Sequence, residues 1–237
     1  RAVAEWPADE LHEAVRASAS EAFEQLAWHS VTAPRGVMNV ERERLCALLD
    51  RYLRIERERA ENEWKPSHLE VAFGGVRDSD DPIGNAEPYL LHVNEQETVR
   101  FAGRIDRIDR NASNARIIAY KSSVPAPDFK TGRSMQLAVY AMALEEFLMP
   151  GTRCREARFV PVGRDKSIEA LGRIKKVDEW PERRAAVLDT IARCVAGIRE
   201  GRFPPTPADR KKVCQYGANR RACRYETSRV ERKDAKS

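Results

Sequence analysis

The stretch from Phe101 to Tyr140 limits this chain more than any other, because two strand-like runs and a helix follow one another through short polar breaks. Arg100 to Ile108 alternates apolar and polar residues as a half-buried strand does, with Phe101, Gly103 and Ile105 on one track and Arg104 and Asp106 on the other. The polar cluster Asp109 to Asn114 breaks that pattern and Arg116 to Tyr120 resumes it, which predicts a hairpin. Strands joined in this way bring Asp106 near position 119, and Lys121, two places on, faces the same side as that position. After a proline-containing loop, Ser122 to Pro127, apolar residues from Met135 to Phe147 recur at helical spacing. Gln136 and Tyr140 stand four apart, so they project from one face of that helix.

The runs Gly103-Arg104-Ile105-Asp106, Ile117-Ile118-Ala119-Tyr120-Lys121 and Gln136-Leu137-Ala138-Val139-Tyr140 resemble, in order and spacing, the RecB-type branch of the PD-(D/E)XK nucleases, to which AddB-like helicase–nucleases are related. The resemblance covers Glu70 to Phe147. It implies an α/β fold of the restriction-endonuclease-like kind, a mixed central sheet flanked by helices, with an N-terminal helical portion. It also implies hydrolysis of DNA phosphodiesters with Mg²⁺ or Mn²⁺. On that reading Asp106 is a metal ligand and the backbone carbonyl of Tyr120 is another. Lys121 stabilises the attacking hydroxide or the charge on the phosphate, while Gln136 and Tyr140 hold substrate or brace the site. Glu70 stands where relatives carry a Glu, either as a ligand or as a support behind one. One departure falls at the chemical centre: Ala119 occupies the place of the family's second carboxylate.

The residue types follow from the reaction. A hard cation that polarises a phosphate oxygen and acidifies a water prefers oxygen ligands, and two carboxylates on neighbouring strands supply such a clamp. A compact ammonium suits developing negative charge. Taken singly, each of these side chains reads as an ordinary surface or boundary residue, and only the ordered set carries the assignment.

The remainder of the chain fits one domain around that stretch. Residues 1–65 form the N-terminal helical portion, with amphipathic helices predicted over Ala8 to Trp28 and Val40 to Asn62. His12 reads there as an ordinary helix-face histidine, and the acid–base alternation from Arg54 to Arg59 as a solvent-facing surface. Residues 66–226 form the nuclease core and a cysteine-containing tail. Strands are predicted at His68 to Gly75, Tyr89 to Val93, Ala157 to Val162 and Ile168 to Ile174, and a helix over Glu179 to Glu200. Cys46, Cys154 and Cys194 read as free core cysteines. Cys214 and Cys223 resemble the tail of RecB-type nucleases that hold an iron–sulfur cluster, but Gly217 replaces the middle cysteine, and no cluster is expected in this chain. The tail bears Arg210, Lys211, Lys212, Arg220 and Arg221 with Tyr216 and Tyr225 interleaved, a composition suited to nucleic acid, and residues 227–237 are expected to be disordered.

A net charge of +5 is compatible with a polyanionic partner. The opening on Arg1, with no signal peptide or long apolar run, leads to an expected internal fragment of a cytoplasmic, nucleoid-associated protein. The expected partners are DNA and helicase domains of the same or another chain, with no membrane. Two functions stay open: a DNA nuclease module disabled at Ala119, and a natural non-catalytic relative that binds DNA or acts as a scaffold.

Overall fold

The computed structural model describes residues 6–27, 34–58, 64–75, 80–95, 97–112, 114–121, 135–162 and 179–202. Its centre is a sheet of β1 (Lys65–Phe73), β4 (Gly103–Asn111), β5 (Asn114–Lys121) and β6 (Arg153–Pro161), in the order β1-β4-β5-β6. Neighbours are antiparallel except β5 and β6, which are parallel. A parallel pair needs a crossover, and α3 (Gln136–Ala143) with the π-helical turn Leu144–Leu148 lies in that connection. β2 (Tyr89–His92) and β3 (Thr98–Phe101) make a separate two-stranded sheet. Helices α1 (Ala8–Ala27) and α2 (Arg35–Glu58) precede the strands, and α4 (Glu179–Arg199) follows them. This is a mixed α/β architecture with a central mixed sheet and flanking helices, as the restriction-endonuclease-like expectation requires.

Alternation along β5 sorts its side chains between two layers. Ile117 and Ala119 join the apolar core with Leu137, Tyr140, Ala141 and Leu144 of the crossover. Arg116, Ile118 and Tyr120 point to the other side, where the Tyr52 hydroxyl of α2 meets the Tyr120 hydroxyl at 2.9 Å. The second layer is held by charge. Asp109, fully buried, accepts from Arg107 at 2.6 and 3.0 Å and from Arg116 at 2.7 Å. Arg107 in turn lies 2.7 Å from Glu56 of α2. Burial alone would lower the affinity of that guanidinium for its proton, but the hydrogen bonds and charge of Asp109, with Glu56 behind them, more than offset it, and the group stays charged.

Three sequence expectations change here. Asp109 belongs to a strand and not to a turn: β4 runs to Asn111, Asn111 pairs with Asn114, and the chain turns at Ala112, with φ 47°. The polar cluster reads as a loop because such residues usually face water, whereas Asp109 finds its partners, Arg107 and Arg116, inside. The run Arg100 to Ile108 is not one strand. It leaves the small sheet after Phe101 and joins the main sheet at Gly103, where Gly74 (φ 76°) passes so close that a Cβ there would stand 2.5 Å from the Ala102 Cβ. Cys194 is exposed, whereas Cys46 and Cys154 are buried. Burial pushes the Cys154 thiol well above its ordinary value, which leaves it inert.

The π-helical turn sends two adjacent acids to different neighbours. Glu145 accepts from the Cys154 backbone at 2.8 Å and from the Trp180 indole at 3.2 Å, joining the crossover to β6 and α4. Glu146 accepts from the Tyr89 hydroxyl and the Arg184 guanidinium, both at 2.5 Å. The expected strand Ile168 to Ile174 and the tail with Cys214 and Cys223 lie outside the described residues. No helix among the described residues is long and apolar enough to cross a membrane.

Candidate active site

The site lies where the main sheet forks. β1 stays paired to β4 as far as Phe73 and Gly103, and β5 stays paired to β6 as far as Lys121 and Pro161, but the β4–β5 ladder stops at Arg107 and Ile118. The next step of that register sets Asp106 opposite Ala119. Asp106 spans the opening with its side chain: Oδ2 accepts from the Tyr120 backbone N–H at 2.7 Å, while Oδ1 has no partner among the described residues. Ala119 is fully buried. Lys121 follows on the same face of β5, its ammonium 5.5 Å from the centroid of the Phe159 ring and without an ion pair among the described residues.

Across the core face, α3 contributes Gln136 and Tyr140. The Tyr140 hydroxyl accepts from Gln136 Nε2 at 3.0 Å and, more weakly, from the Arg104 backbone N–H at 3.4 Å, which leaves its own proton to donate. The ring packs edge-on to Phe73 at 6.1 Å. It reaches this position because residue 103 is glycine: a Cβ there would stand 2.8 Å from the Tyr140 ring and 3.1 Å from Phe73. Gly103 and Tyr140, separate motifs in the sequence, are thus two sides of one contact.

Glu70 stands apart from this cluster. It is exposed, has φ 52°, and pairs with Arg104 at 2.9 Å. His12, on α1, pairs with Asp50 of α2 at 2.8 Å. Two residues to which the sequence assigned no role bear on the site. Tyr52 braces Tyr120 edge-on at 5.6 Å, and Arg104 gathers Glu70 while its backbone meets Tyr140. Tyr52 sat in a leucine-rich stripe, where its hydroxyl was the only signal that one position faced something polar.

The donors gathered at the fork do not fit a catalytic Mg²⁺. One carboxylate is present, half of it already engaged by a backbone N–H, and a methyl group stands where a second acid is needed. Among the described residues no group of three or more His, Cys, Asp or Glu could hold a metal ion. What remains is a free carboxylate oxygen, an unpaired ammonium, and an amide and phenol coupled to each other. Of these, the Lys121 ammonium and the Tyr140 phenol can meet a phosphate with positive charge and a hydrogen-bond donor.

No curated protein matches the chain. The profile of the PD-(D/E)XK nuclease superfamily matches residues 2–224. With that match extending over nearly its whole length, the chain belongs to the PD-(D/E)XK nuclease superfamily.

Proposed function

We propose that this chain is a RecB-like DNA nuclease module, of the kind carried by helicase–nucleases in DNA repair, whose cleavage is suppressed at Ala119. Nucleases of this superfamily act on nucleic-acid phosphodiesters and generally use Mg²⁺. The supporting observation is the fork itself, where Asp106 and position 119 are adjacent across two strands and one of the pair is alanine. On this reading Lys121 binds a non-bridging phosphate oxygen, Tyr140 donates its free proton to the substrate backbone, and Gln136 fixes the Tyr140 hydroxyl. Asp106 keeps β4 and β5 in register through the Tyr120 N–H.

Losing one positioned catalytic group commonly lowers a rate by about 10²–10⁴-fold, so this chain should cleave DNA slowly or not at all. The non-catalytic reading is favoured by one observation, that the Ala119 methyl is enclosed in the apolar core beside α3. Ala119→Asp separates the two. As a nuclease one acid short, the variant should bind Mn²⁺ more tightly than the wild type in a calorimetric titration. It should also gain metal-dependent cleavage of single- or double-stranded DNA by about 10²-fold or more. Tighter Mn²⁺ binding without cleavage of either substrate would support the DNA-binding or scaffolding role.

A further inference from the structure

The charges of α2 alternate so closely in sequence that they read as a neutral, solvated face, but folding sorts them. Tyr52 and Glu56 are four apart and both turn to the sheet, where Glu56 meets Arg107 at 2.7 Å and Tyr52 meets Tyr120. Arg54, halfway between them, therefore points away from the sheet. Asp50 is taken up by His12 at 2.8 Å and Glu43 approaches Arg16 at 3.4 Å, so these acids are engaged by α1. Along the outer side stand Arg44, Arg51, Arg54 and Arg57, at intervals of seven, three and three residues, with Arg51 already engaged by a neighbour. Such intervals keep side chains on one slowly turning track about 20 Å long.

Two adjoining hollows follow this track. One, of about 370 Å³ between α1 and α2, is lined in part by His12, Asp50, Arg54 and Arg57. The other, of about 540 Å³, is lined by Arg44, Ala47, Leu48, Asp50, Arg51 and Arg54. Arg54 belongs to both. Arg54 and Arg57 have no ion pair or hydrogen bond among the described residues, and Arg44 has only a loose approach to Glu41 at 3.7 Å.

We infer that the outer side of α2 is a second nucleic-acid contact, a track on which guanidinium groups bind the phosphates of DNA that extends beyond the forked site. Planar guanidinium forks match phosphate oxygens, and the acid inside the groove, Asp50, is already held by His12. The track and the fork lie on opposite sides of α2, so the track contributes affinity and placement and takes no part in bond cleavage. The inference rests on the reading that this chain binds DNA.

The test is fluorescence anisotropy of the full chain with a labelled oligodeoxynucleotide from about 50 to 200 mM salt. Arg54→Ala with Arg57→Ala should lower affinity about tenfold or more and reduce the slope of log K against log salt by roughly two. Arg54→Lys with Arg57→Lys should keep most of the slope. Removing two arginines from α4 instead, Arg193→Ala with Arg199→Ala, should leave the slope nearly unchanged, which excludes an effect of net charge alone. A paired alanine variant that folds, by circular dichroism, and binds with wild-type affinity and slope overturns the track while leaving DNA binding intact. Polyglutamate displacing the oligonucleotide as well as unlabelled DNA of equal charge also overturns it, because the groove would then be a surface for acidic protein. Absence of wild-type binding at low salt removes the proposed function, and the track with it.

Discussion

At the scale of single residues, the site depends on what two positions lack. Gly103 lacks a side chain, and Tyr140 fills the space. Gly103→Ala places a methyl group 2.8 Å from that ring, so it should cost about 1–3 kcal/mol in urea denaturation. The loss should shrink in the Tyr140→Ala background, because the obstruction is then gone; equal losses in both backgrounds would show that the contact is not the cause. Ala119 lacks a carboxylate, and the proposed function takes it as the missing acid because Asp106, Lys121, Gln136 and Tyr140 around it resemble the family's order. The sequence could not show that the Ala119 methyl is fully buried, since burial depends on α3 closing over β5. Nor could it show that Glu70 would turn outward to Arg104. A positive φ at a non-glycine residue is set by the surrounding sheet, and no local pattern announces it.

At the scale of elements, helices and strands with regular apolar periods were legible. α1, α3, β2 and β6 overlap their expected spans, because runs of apolar residues mark them in the sequence, although only β2 alternates buried and exposed positions and α3 is buried from Leu137 to Ala143. The reading failed where polar residues are inside. Asp109 looks like turn chemistry, yet with Arg107 it forms the joint between the sheet and α2. Asp109→Ala should therefore cost about 3–5 kcal/mol, since it leaves two buried guanidiniums without their shared acid. Urea midpoints of variant and wild type measure it, and a loss below 1 kcal/mol would assign the joint to apolar packing. Two tyrosines at element junctions give a pH prediction. Tyr52 is raised well above tyrosine's ordinary value by burial and then by Tyr120, and Tyr89 by burial and then by its hydrogen bond to Glu146. A raised folded value contributes stability fully present below the unfolded value of about 10 and lost as pH rises through the folded one. The urea midpoint should thus fall between pH 10 and 11.5, and less steeply in Tyr52→Phe with Tyr89→Phe. Identical alkaline slopes would remove these tyrosines from the account.

At the scale of the whole molecule, a small positive net charge conceals an uneven surface. If about four phosphates are neutralised in all, affinity for DNA should fall about 100-fold between 50 and 200 mM salt. A salt-independent complex would mean recognition through apolar or base contacts and would favour a scaffold. The same molecule also has a fixed dimension that its composition hides. The two-residue turn between Asn111 and Asn114 sets which residue of β5 stands across from Asp106. One inserted codon at that turn would carry Ala119 out beneath α2 and bring Tyr120 into the core, because side chains alternate sides at every step. A lineage that keeps position 119 beside Asp106, whether the residue there is an acid or an alanine, must therefore inherit this turn at constant length, and gains or losses of sequence can accumulate only elsewhere.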